Sequence, residues 1–356
     1  MYMAFKPRYS IDSTISSALV EIERVRGFLD AIKIKESWFS QMQEEALREE
    51  AHYSTHIEGT GITLEQAKNI FAGRRVSGIS RDVMMELRNY RSALDSISQY
   101  LGADSPVTEG LIREIHKILV KGVRGDKADP GNYRRVQNYI VNSATNDIMY
   151  TPPPAIDVPI LMKELVDWMN QNVDKIAPVL VAGIAQFQFE HIHPFLDGNG
   201  RTGRLLSTLL LYKTGYDFKR LFILSGYYDK DRPAYYAALQ SVRKNNMDMT
   251  EWIGYFVNGL KTQMIEVRAK GEKIIKKEVL LEKIATLNLN SRQKKSLLYL
   301  VENNTIARAE YAKMFKVSLR TANYDLEQMQ KMKLIAPKGI GRSIRYSLFT
   351  AKARSG

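Results

Sequence analysis

The sequence predicts a mostly helical protein with one β-hairpin in its body and a small mixed module at its carboxyl end. Apolar residues recur at three- and four-residue spacings along most of the chain, which is the helical period. Before residue 291 the one convincing β signal is the segment RVQNYIV at residues 135–141. After Ser291 the helical stretches become short and closely linked, and two extended pieces follow them.

The helices of the body are placed by these spacings and by the glycines and prolines that interrupt them. The second helix, for example, is rich in strong helix formers and stops before Gly59. The predicted helices are, in chain order, Thr14–Ile34, Trp38–Ile57, Arg81–Leu101, Glu109–Val120, Val158–Asn172, Pro178–Phe189, Gly200–Lys213, Tyr235–Arg243 and Glu251–Leu287.

A hairpin is predicted between the fourth and fifth of these helices, at Arg135–Tyr150. Two short extended pieces lie on either side of a polar turn there, and the prolines at 152–154 prevent the second piece from continuing into a helix.

The carboxyl-terminal module is predicted to be a winged helix-turn-helix domain. Helices at Arg292–Glu302, Arg308–Phe315 and Ser318–Met332 and a hairpin within about 60 residues match that motif. Val317 and Ser318 form its predicted turn. The helix that follows this turn, Ser318–Met332, carries Arg320, Thr321, Asn323 and Tyr324. The wing carries Lys338, Arg342 and Arg345.

Four regions follow from this organisation: an N-terminal helical region 1–105, a core 106–260, a linker helix 261–287 and the winged-helix domain 288–356. The net charge is +13, and residues 286–356 hold 14 Lys and Arg against 4 Asp and Glu. A basic module on a nearly neutral body favours an anionic partner, although a basic surface also serves solubility alone.

The composition also excludes several classes of protein. The chain has no cysteine, so disulfides and thiolate metal sites are impossible. It has no apolar run of about 20 residues and no signal-peptide pattern at its start. We therefore expect a cytoplasmic protein that does not enter a membrane.

Residues 193–204, HPFLDGNGRTGR, gather the groups that phosphoryl or nucleotidyl transfer requires. The backbone of Gly198, Asn199 and Gly200 can turn its N–H groups toward an anion at the start of a helix. Arg201 and Arg204, three residues apart, can bind phosphate oxygens. Asp197 can hold Mg²⁺, and His193 can accept a proton from an attacking hydroxyl.

This segment resembles the complete signature of the Fic family, HPFx[D/E]GNGRxxR. The resemblance implies a helical Fic core that transfers AMP from ATP to a Ser, Thr or Tyr hydroxyl of a target protein and releases pyrophosphate. It assigns His193 as general base and Asp197 as the Mg²⁺ ligand, with Phe195 as a core anchor. The Gly198–Gly200 loop, Arg201 and Arg204 then bind the phosphates.

Two further regions gain roles through the same resemblance. The hairpin is similar to the family's flap, which pairs with the target segment, and Ile140 and Val141 are the candidates for this contact. Ordinary hairpin packing remains an alternative. Tyr235, in the segment DRPAYY, is the candidate to stack on adenine, although core packing explains a helical tyrosine equally well.

The segment STHIEG, residues 54–59, fits the family's inhibitory pattern [S/T]xxxE[G/N]. Glu58 lies at a predicted helix carboxyl end, where the helix dipole disfavours a carboxylate, so an arginine partner would stabilise it. The resemblance names Arg204 as that partner, which would occupy the group that holds the γ-phosphate. Ser54 is predicted to bond Glu58 or the nearby backbone.

The sequence is also compatible with other functions. His191 and His193 with Asp197 suggest a hydrolytic metal site, but few other ligands exist. His116 is expected to be a packed core histidine. The chain is alternatively a DNA-binding regulator with a nucleotide-sensing core, or an enzyme that removes AMP. The winged helix is expected to contact DNA or protein, and the resemblance makes a homodimer plausible.

Overall fold

The structure, a computed structural model, describes residues 5–32, 35–99, 105–123, 127–141, 145, 147–216, 220–340 and 343–349. The predicted wing residue Arg342 lies outside these ranges. The chain divides into two compact units. The first comprises Met1–Ala31 and Lys35–Val267, and the second comprises Ile32–Ile34 and Arg268–Gly356.

The first unit is helical, and its helices agree with the predicted ones to within a few residues. Two short helices, α3 and α9, were not predicted because about two turns are too few to show a helical period. The helices are α1 Ser13–Ala31, α2 Glu36–Ile57, α3 Leu64–Phe71, α4 Arg81–Gln99, α5 Glu109–Val120, α6 Val158–Asn172, α7 Pro178–Ile192, α8 Asn199–Lys213, α9 Leu224–Lys230, α10 Arg232–Lys244 and α11 Thr250–Ala285.

Helix α7 is the centre of this unit. It is apolar on every side, and nearly all of its side chains are buried. It packs against α6 and α8, and Trp252 of α11 donates a 2.8 Å hydrogen bond to the carbonyl of Gly183. Helix α11 runs without a break from Thr250 to Ala285, so the predicted linker helix 261–287 is the later part of a longer helix. In the described part of the chain, no helix has the length and apolar character needed to cross a membrane.

The predicted hairpin is present, but its strands are short. Strands β1 (Ile140–Val141) and β2 (Ile148–Tyr150) pair antiparallel. The predicted strand from Arg135 does not form because the preceding side chains bind elsewhere. Gln137 donates to the carbonyl of Pro152, and Asn138 donates to that of Phe195.

The second unit contains, besides the end of α11, three helices and a three-stranded antiparallel sheet in the order β3-β5-β4. Its own core includes Leu297, Ile306 and Leu326, and the buried carboxylate of Asp325 accepts hydrogen bonds from Tyr311 and Arg292. The elements are α12 Ser291–Asn303, β3 Ile306–Ala307, α13 Arg308–Phe315, α14 Leu319–Lys331, β4 Ile335–Lys338 and β5 Arg345–Leu348.

Replacing glycine by alanine is expected to have opposite effects on the free energy of unfolding at two helical positions, Gly183 of α7 and Gly27 of α1. A Cβ on Gly183 would lie 2.9 Å from the Phe256 ring, whereas a Cβ on Gly27 of α1 meets nothing within 4 Å. We expect Gly183→Ala to lower the free energy of unfolding by about 1–3 kcal/mol through overpacking. Gly27→Ala should raise it by about 0.5–1 kcal/mol. Urea unfolding of both variants checks this, and a loss of stability in both would contradict it.

Candidate active site

The candidate site is the short loop that joins α7 to α8. Helix α7 ends at His193, whose backbone is left-handed with φ 51°. Helix α8 begins after Gly198, which has φ 78°. Gly198 also lacks room for a side chain, since a Cβ would lie 2.9 Å from Val120 of α5. A glycine is therefore required here both for its backbone angle and for the close approach of α5.

The interior of this loop is held by side-chain to backbone hydrogen bonds. The amide of Asn199 accepts from the Phe195 N–H at 2.9 Å and donates to the Phe195 carbonyl at 2.8 Å. Its side chain is thus committed to the loop, and only its backbone remains to face an anion. Phe195 is fully buried, as expected, and its ring stacks on that of His116 at 3.6 Å.

His116 is a buried core histidine that ties two loops together. Its Nδ1 accepts the N–H of Gly131, so its Nε2 carries the proton and donates to the carbonyl of Asp197 at 2.9 Å. Burial lowers its pKa to about 4, which keeps the ring neutral in this arrangement.

Arg134 is a structural residue of the site that the sequence patterns did not indicate. Its guanidinium donates to the carbonyls of His193 and Pro153, and its own N–H donates to the carbonyl of Pro194. One side chain thereby fixes the carboxyl end of α7, the start of the motif loop and the base of the hairpin.

His193, the predicted general base, lies at the end of α7 beside the loop. Burial lowers its pKa to about 4, and the Glu190 backbone carbonyl partly opposes this shift. Its imidazole is therefore neutral near pH 7 and has a lone pair that can accept a proton. The neighbouring His191 is engaged differently, since its Nδ1 lies 2.8 Å from the hydroxyl of Tyr150 in β2.

Arg204 and Glu58 form a short ion pair. Arg204 is almost fully buried, and its Nη2 lies 2.7 Å from Oε1 of Glu58. Burial alone would raise the pKa of Glu58, but Arg204 and Arg201 outweigh it and hold the pKa below its usual value. Ser54 accepts from Nε of Arg204 at 2.8 Å, and its carbonyl accepts from Nη2. Ser54 thus bonds the arginine rather than Glu58, in contrast to one of the sequence-based expectations.

The carboxylate of Glu58 also lies directly over the start of α8. A Cβ built on Gly200 would collide with Glu58 Oε1, and Cδ of Glu58 would be only 3.2 Å from it. A negative group thus lies against the amino end of a helix, where the helix dipole and unpaired N–H groups favour an anion. The carboxylate occupies the position that the sequence predicts for phosphate.

The other predicted charged residues, Arg201 and Asp197, contact each other. Arg201 is buried, with its guanidinium 3.4 Å from Glu86 of α4 and 3.5 Å from Asp197. The Asp197 carboxylate also accepts the Gly198 N–H at 2.6 Å, and its side chain is about one third exposed. Arg201 therefore holds Asp197 and Glu86 in this structure, and the carboxylate of Asp197 stays accessible at the edge of the loop.

Tyr235 does not fit the stacking role predicted for it. Its side chain is fully buried, and its ring stacks on Tyr228 at 4.5 Å, so core packing describes its surroundings. The next residue, Tyr236, is 47% exposed. Partial burial raises its pKa, Glu58 raises it further and Arg204 opposes this shift. Of the two tyrosines, Tyr236 is the one available to a nucleotide base.

Helix α2, which carries Glu58, is held by two further contacts that were not predicted. The buried carboxylate of Glu50 accepts the N–H of Ser225 and the hydroxyl of Tyr90. His56 Nδ1 lies 2.9 Å from the carboxylate of Asp229, which is also paired with Arg232. These contacts join α2 to α4, α9 and α10.

The hairpin presents apolar side chains to solvent. Ile140 of β1 is half-buried, whereas Val141 is 49% exposed. The other exposed apolar residues of this region are Val136, Tyr139, Ile148 and Met149. Such a patch beside the loop is typical of a surface that binds another chain.

Comparison with known proteins identifies this region. Residues 106–211 match the profile of the Fic/DOC family. The protein adenylyltransferase Fic of Drosophila willistoni is 33% identical over 200 residues, which are 56% of this chain and 38% of that protein. The corresponding protein of Drosophila grimshawi is 32% identical over 200 residues and is covered to 40%. The chain thus spans about two fifths of the length of these curated relatives.

Two solved structures share the fold. A Fic family protein from Desulfovibrio desulfuricans has a TM-score of 0.64 at 21% identity, and the match covers 98% of this chain and all of that one. A Fic domain-containing signalling protein from Bacteroides thetaiotaomicron has a TM-score of 0.61 at 24% identity, with 74% of this chain and 96% of that one covered.

The buried histidines predict a loss of stability in acid. Burial lowers the pKa values of His52, His116, His191 and His193 from 6.5 to about 4. Between these pH values the unfolded chain binds more protons, so the free energy of unfolding falls as the pH decreases, by at most about 1.4 kcal/mol per pH unit for each group. Urea unfolding near pH 7 and near pH 5 measures the difference. We expect His116→Gln to reduce that difference by about 1–2 kcal/mol, and an unchanged difference would contradict the assignment.

Proposed function

We propose, for a chain whose residues 106–211 belong to the Fic/DOC family, that it is a protein adenylyltransferase held in a restrained state. The observation that carries this proposal is the carboxylate of Glu58 against the start of α8, bound to Arg204. The negatively charged Glu58 side chain thus lies at a helix amino end that favours anions. The loop before this helix also contains the neutral His193 and the carboxylate of Asp197. The naming of the similar Drosophila proteins as adenylyltransferases supports the same reaction.

In the proposed reaction, a hydroxyl oxygen of a target protein attacks the α-phosphorus of ATP. His193, neutral near pH 7, accepts the hydroxyl proton as the new oxygen–phosphorus bond forms. The bond from the α-phosphorus to the bridging oxygen breaks, and pyrophosphate leaves with the electron pair. The target then carries AMP on its Ser, Thr or Tyr side chain. Backbone N–H groups of Gly198, Asn199 and Gly200, together with Arg204, bind the phosphates.

The donor set near the loop fits Mg²⁺. Among the described residues no group of three or more His, Asp or Glu side chains could hold a metal by itself, so Asp197, which is about one third exposed, would hold the ion together with substrate phosphates. Mg²⁺ is commonly bound by one or two carboxylates together with substrate phosphates and water, which matches this arrangement. Bound there, the ion would neutralise phosphate charge. Arg201 positions the Asp197 carboxylate for that role.

The restraint in this proposal is competition for Arg204. A γ-phosphate and the Glu58 carboxylate need the same guanidinium and the same helix end, so only one can bind at a time. The exposed apolar side chains of the hairpin, Val141 among them, are proposed to hold the target segment beside His193. A homodimer and a cytoplasmic location stay predictions.

Removing the competing carboxylate is expected to release the activity. Glu58→Gly should raise self-modification by at least tenfold, because Arg204 becomes available to the nucleotide. Intact-mass analysis after incubation with ATP and Mg²⁺ measures it as a gain of one AMP mass. The modified protein should carry label when the ATP is labelled at the α-phosphate and none when it is labelled at the γ-phosphate.

Two variants control this experiment. Glu58→Gly combined with His193→Ala should abolish the gain, since the base is lost while the restraint is also absent. Ser54→Ala removes a bond to Arg204 and leaves Glu58 in place, so it should raise the activity less than Glu58→Gly does. No mass gain in any variant would refute the transferase, and loss of AMP from a pre-modified target would indicate the reverse reaction.

A second function, DNA binding by the second unit, is favoured by the surface of α14. We propose that this unit is a winged helix and that α14, the second helix of its helix-turn-helix, contacts duplex DNA. Arg320 is exposed without an ion pair among the described residues, and Tyr324 is 61% exposed on the same helix. Arg345 of the predicted wing is less available because it binds Glu310 at 2.7 Å.

The DNA proposal is tested with the full chain and a labelled duplex in a fluorescence anisotropy titration. Arg320→Glu should weaken binding at least tenfold, and the affinity should fall steeply with added salt. Lys295→Glu makes the same charge change on α12 and should have a much smaller effect. Equal loss in both variants, or no binding at low salt, would argue against this function.

A further inference from the structure

A groove in the second unit is lined by residues that, apart from the predicted wing residue Lys338, have no role in the functions proposed above. One wall is a face of α11 between Ala269 and Lys283, where lining residues recur at three- and four-residue spacings. The other wall is made by the end of α12 and by strands β4 and β5. The groove encloses about 590 Å³ and follows the helix for roughly 20 Å, at 1.5 Å per residue.

The floor of the groove is apolar. Leu280, Leu300 and Leu334 are buried beneath it and belong to the core of this unit. Above them, Val279 is 60% exposed and Phe349 is 46% exposed. Two large apolar side chains therefore remain in contact with water along one continuous depression, which is typical of a binding surface.

The rim of the groove is basic. Five lysines line it, and none of them forms an ion pair with a described residue. Glu272 is the acidic residue of the lining, and Arg268 already binds it at 2.9 Å. The rim thus has an uncompensated positive charge around an apolar floor. The lysines are Lys273, Lys276, Lys283, Lys333 and Lys338.

We propose that this groove binds a short acidic segment of a partner protein, whose apolar side chains cover Val279 and Phe349 while its carboxylates meet the lysines. Charge complementarity selects the acidic partner. The half-exposed floor favours a chain over a small ligand, because small-molecule sites bury most of the ligand surface. Residues 350–356 include Lys352 and Arg354 and no acidic residue, so their side chains do not offer the complementary charge.

Duplex DNA is a poorer match for the same surface. The phosphate backbone requires cations on a face that can follow it, and apolar side chains at the floor of a concave groove contribute nothing to phosphate binding. Arg320 of α14 is not part of the groove lining, whereas the predicted wing residue Lys338 is.

The test is fluorescence anisotropy with the full chain and a labelled synthetic peptide of about 12 residues, built from Glu and Leu with the leucines at helical spacing. We expect saturable binding that weakens as salt is added. Val279→Glu should weaken it at least tenfold by placing a carboxylate in the floor. The double variant Lys276→Glu with Lys283→Glu should do the same.

Matched controls lie on the same helix. Leu281→Glu changes an apolar residue that is 40% exposed but does not line the groove, and Lys270→Glu reverses an exposed charge outside it. Both should keep the affinity within twofold of the parent. All four proteins are surface variants, and circular dichroism verifies that each is folded.

Several results would overturn the proposal. These are equal losses in Leu281→Glu and Val279→Glu, equally tight binding of the same peptide with Lys in place of Glu, or displacement of the peptide by duplex DNA. Tighter binding of dodecanoate would assign the groove to a small amphiphile. A dimer in sedimentation that Val279→Glu converts to a monomer would assign it to a second copy.

Discussion

The buried guanidinium of Arg204 is the constraint around which the first unit is organised. A charge that is almost fully removed from water needs a partner, and a buried ion pair that loses one member leaves an uncompensated charge costing several kcal/mol. Glu58 supplies that partner from the end of α2. Glu50, Ser54 and Glu58 are spaced by four residues, so their two carboxylates and one hydroxyl lie on the same face at the end of α2 and point into the protein. The position of the helix and the charge state of the site are therefore coupled.

The two sides of this arrangement differ in how firmly they are held. Arg134, His116 and Asn199 fix the motif loop through bonds to backbone carbonyls and N–H groups. Glu58, in contrast, follows the last residue of α2 and precedes Gly59, which has φ 95°. In the proposed function, the loop would thus be ordered before a nucleotide binds, and the Glu58 carboxylate would leave without disturbing it.

Sequence reasoning succeeded where the relevant groups are close in the chain. The motif loop, its two flanking helices and the spacing from Ser54 to Glu58 are local patterns, and the high apolar content of α7 indicates its burial. It failed where a contact joins distant segments: Arg134 bonds to a carbonyl 59 residues away, and Glu50 binds a serine 175 residues away. Tyr235 illustrates the same limit, because adjacent tyrosines in one helix have identical local signals, and only the tertiary packing shows which ring is covered.

Glu190 is a second carboxylate near Arg204, and its pKa shifts in the direction opposite to that of Glu58. Burial raises the pKa of Glu190 to about 7, and the charge of Glu58 raises it while Arg204 lowers it. Its side chain lies against Gly203, and no ion pair within 4 Å holds it among the described residues. Arg204 and Arg201, in contrast, keep the pKa of Glu58 below its usual value despite burial. In the proposed function, an incoming phosphate would add negative charge and favour the neutral form of Glu190, whereas Arg204 and Arg201 favour the charged form of Glu58. The phosphate would then replace the Glu58 carboxylate at Arg204, one anion for another.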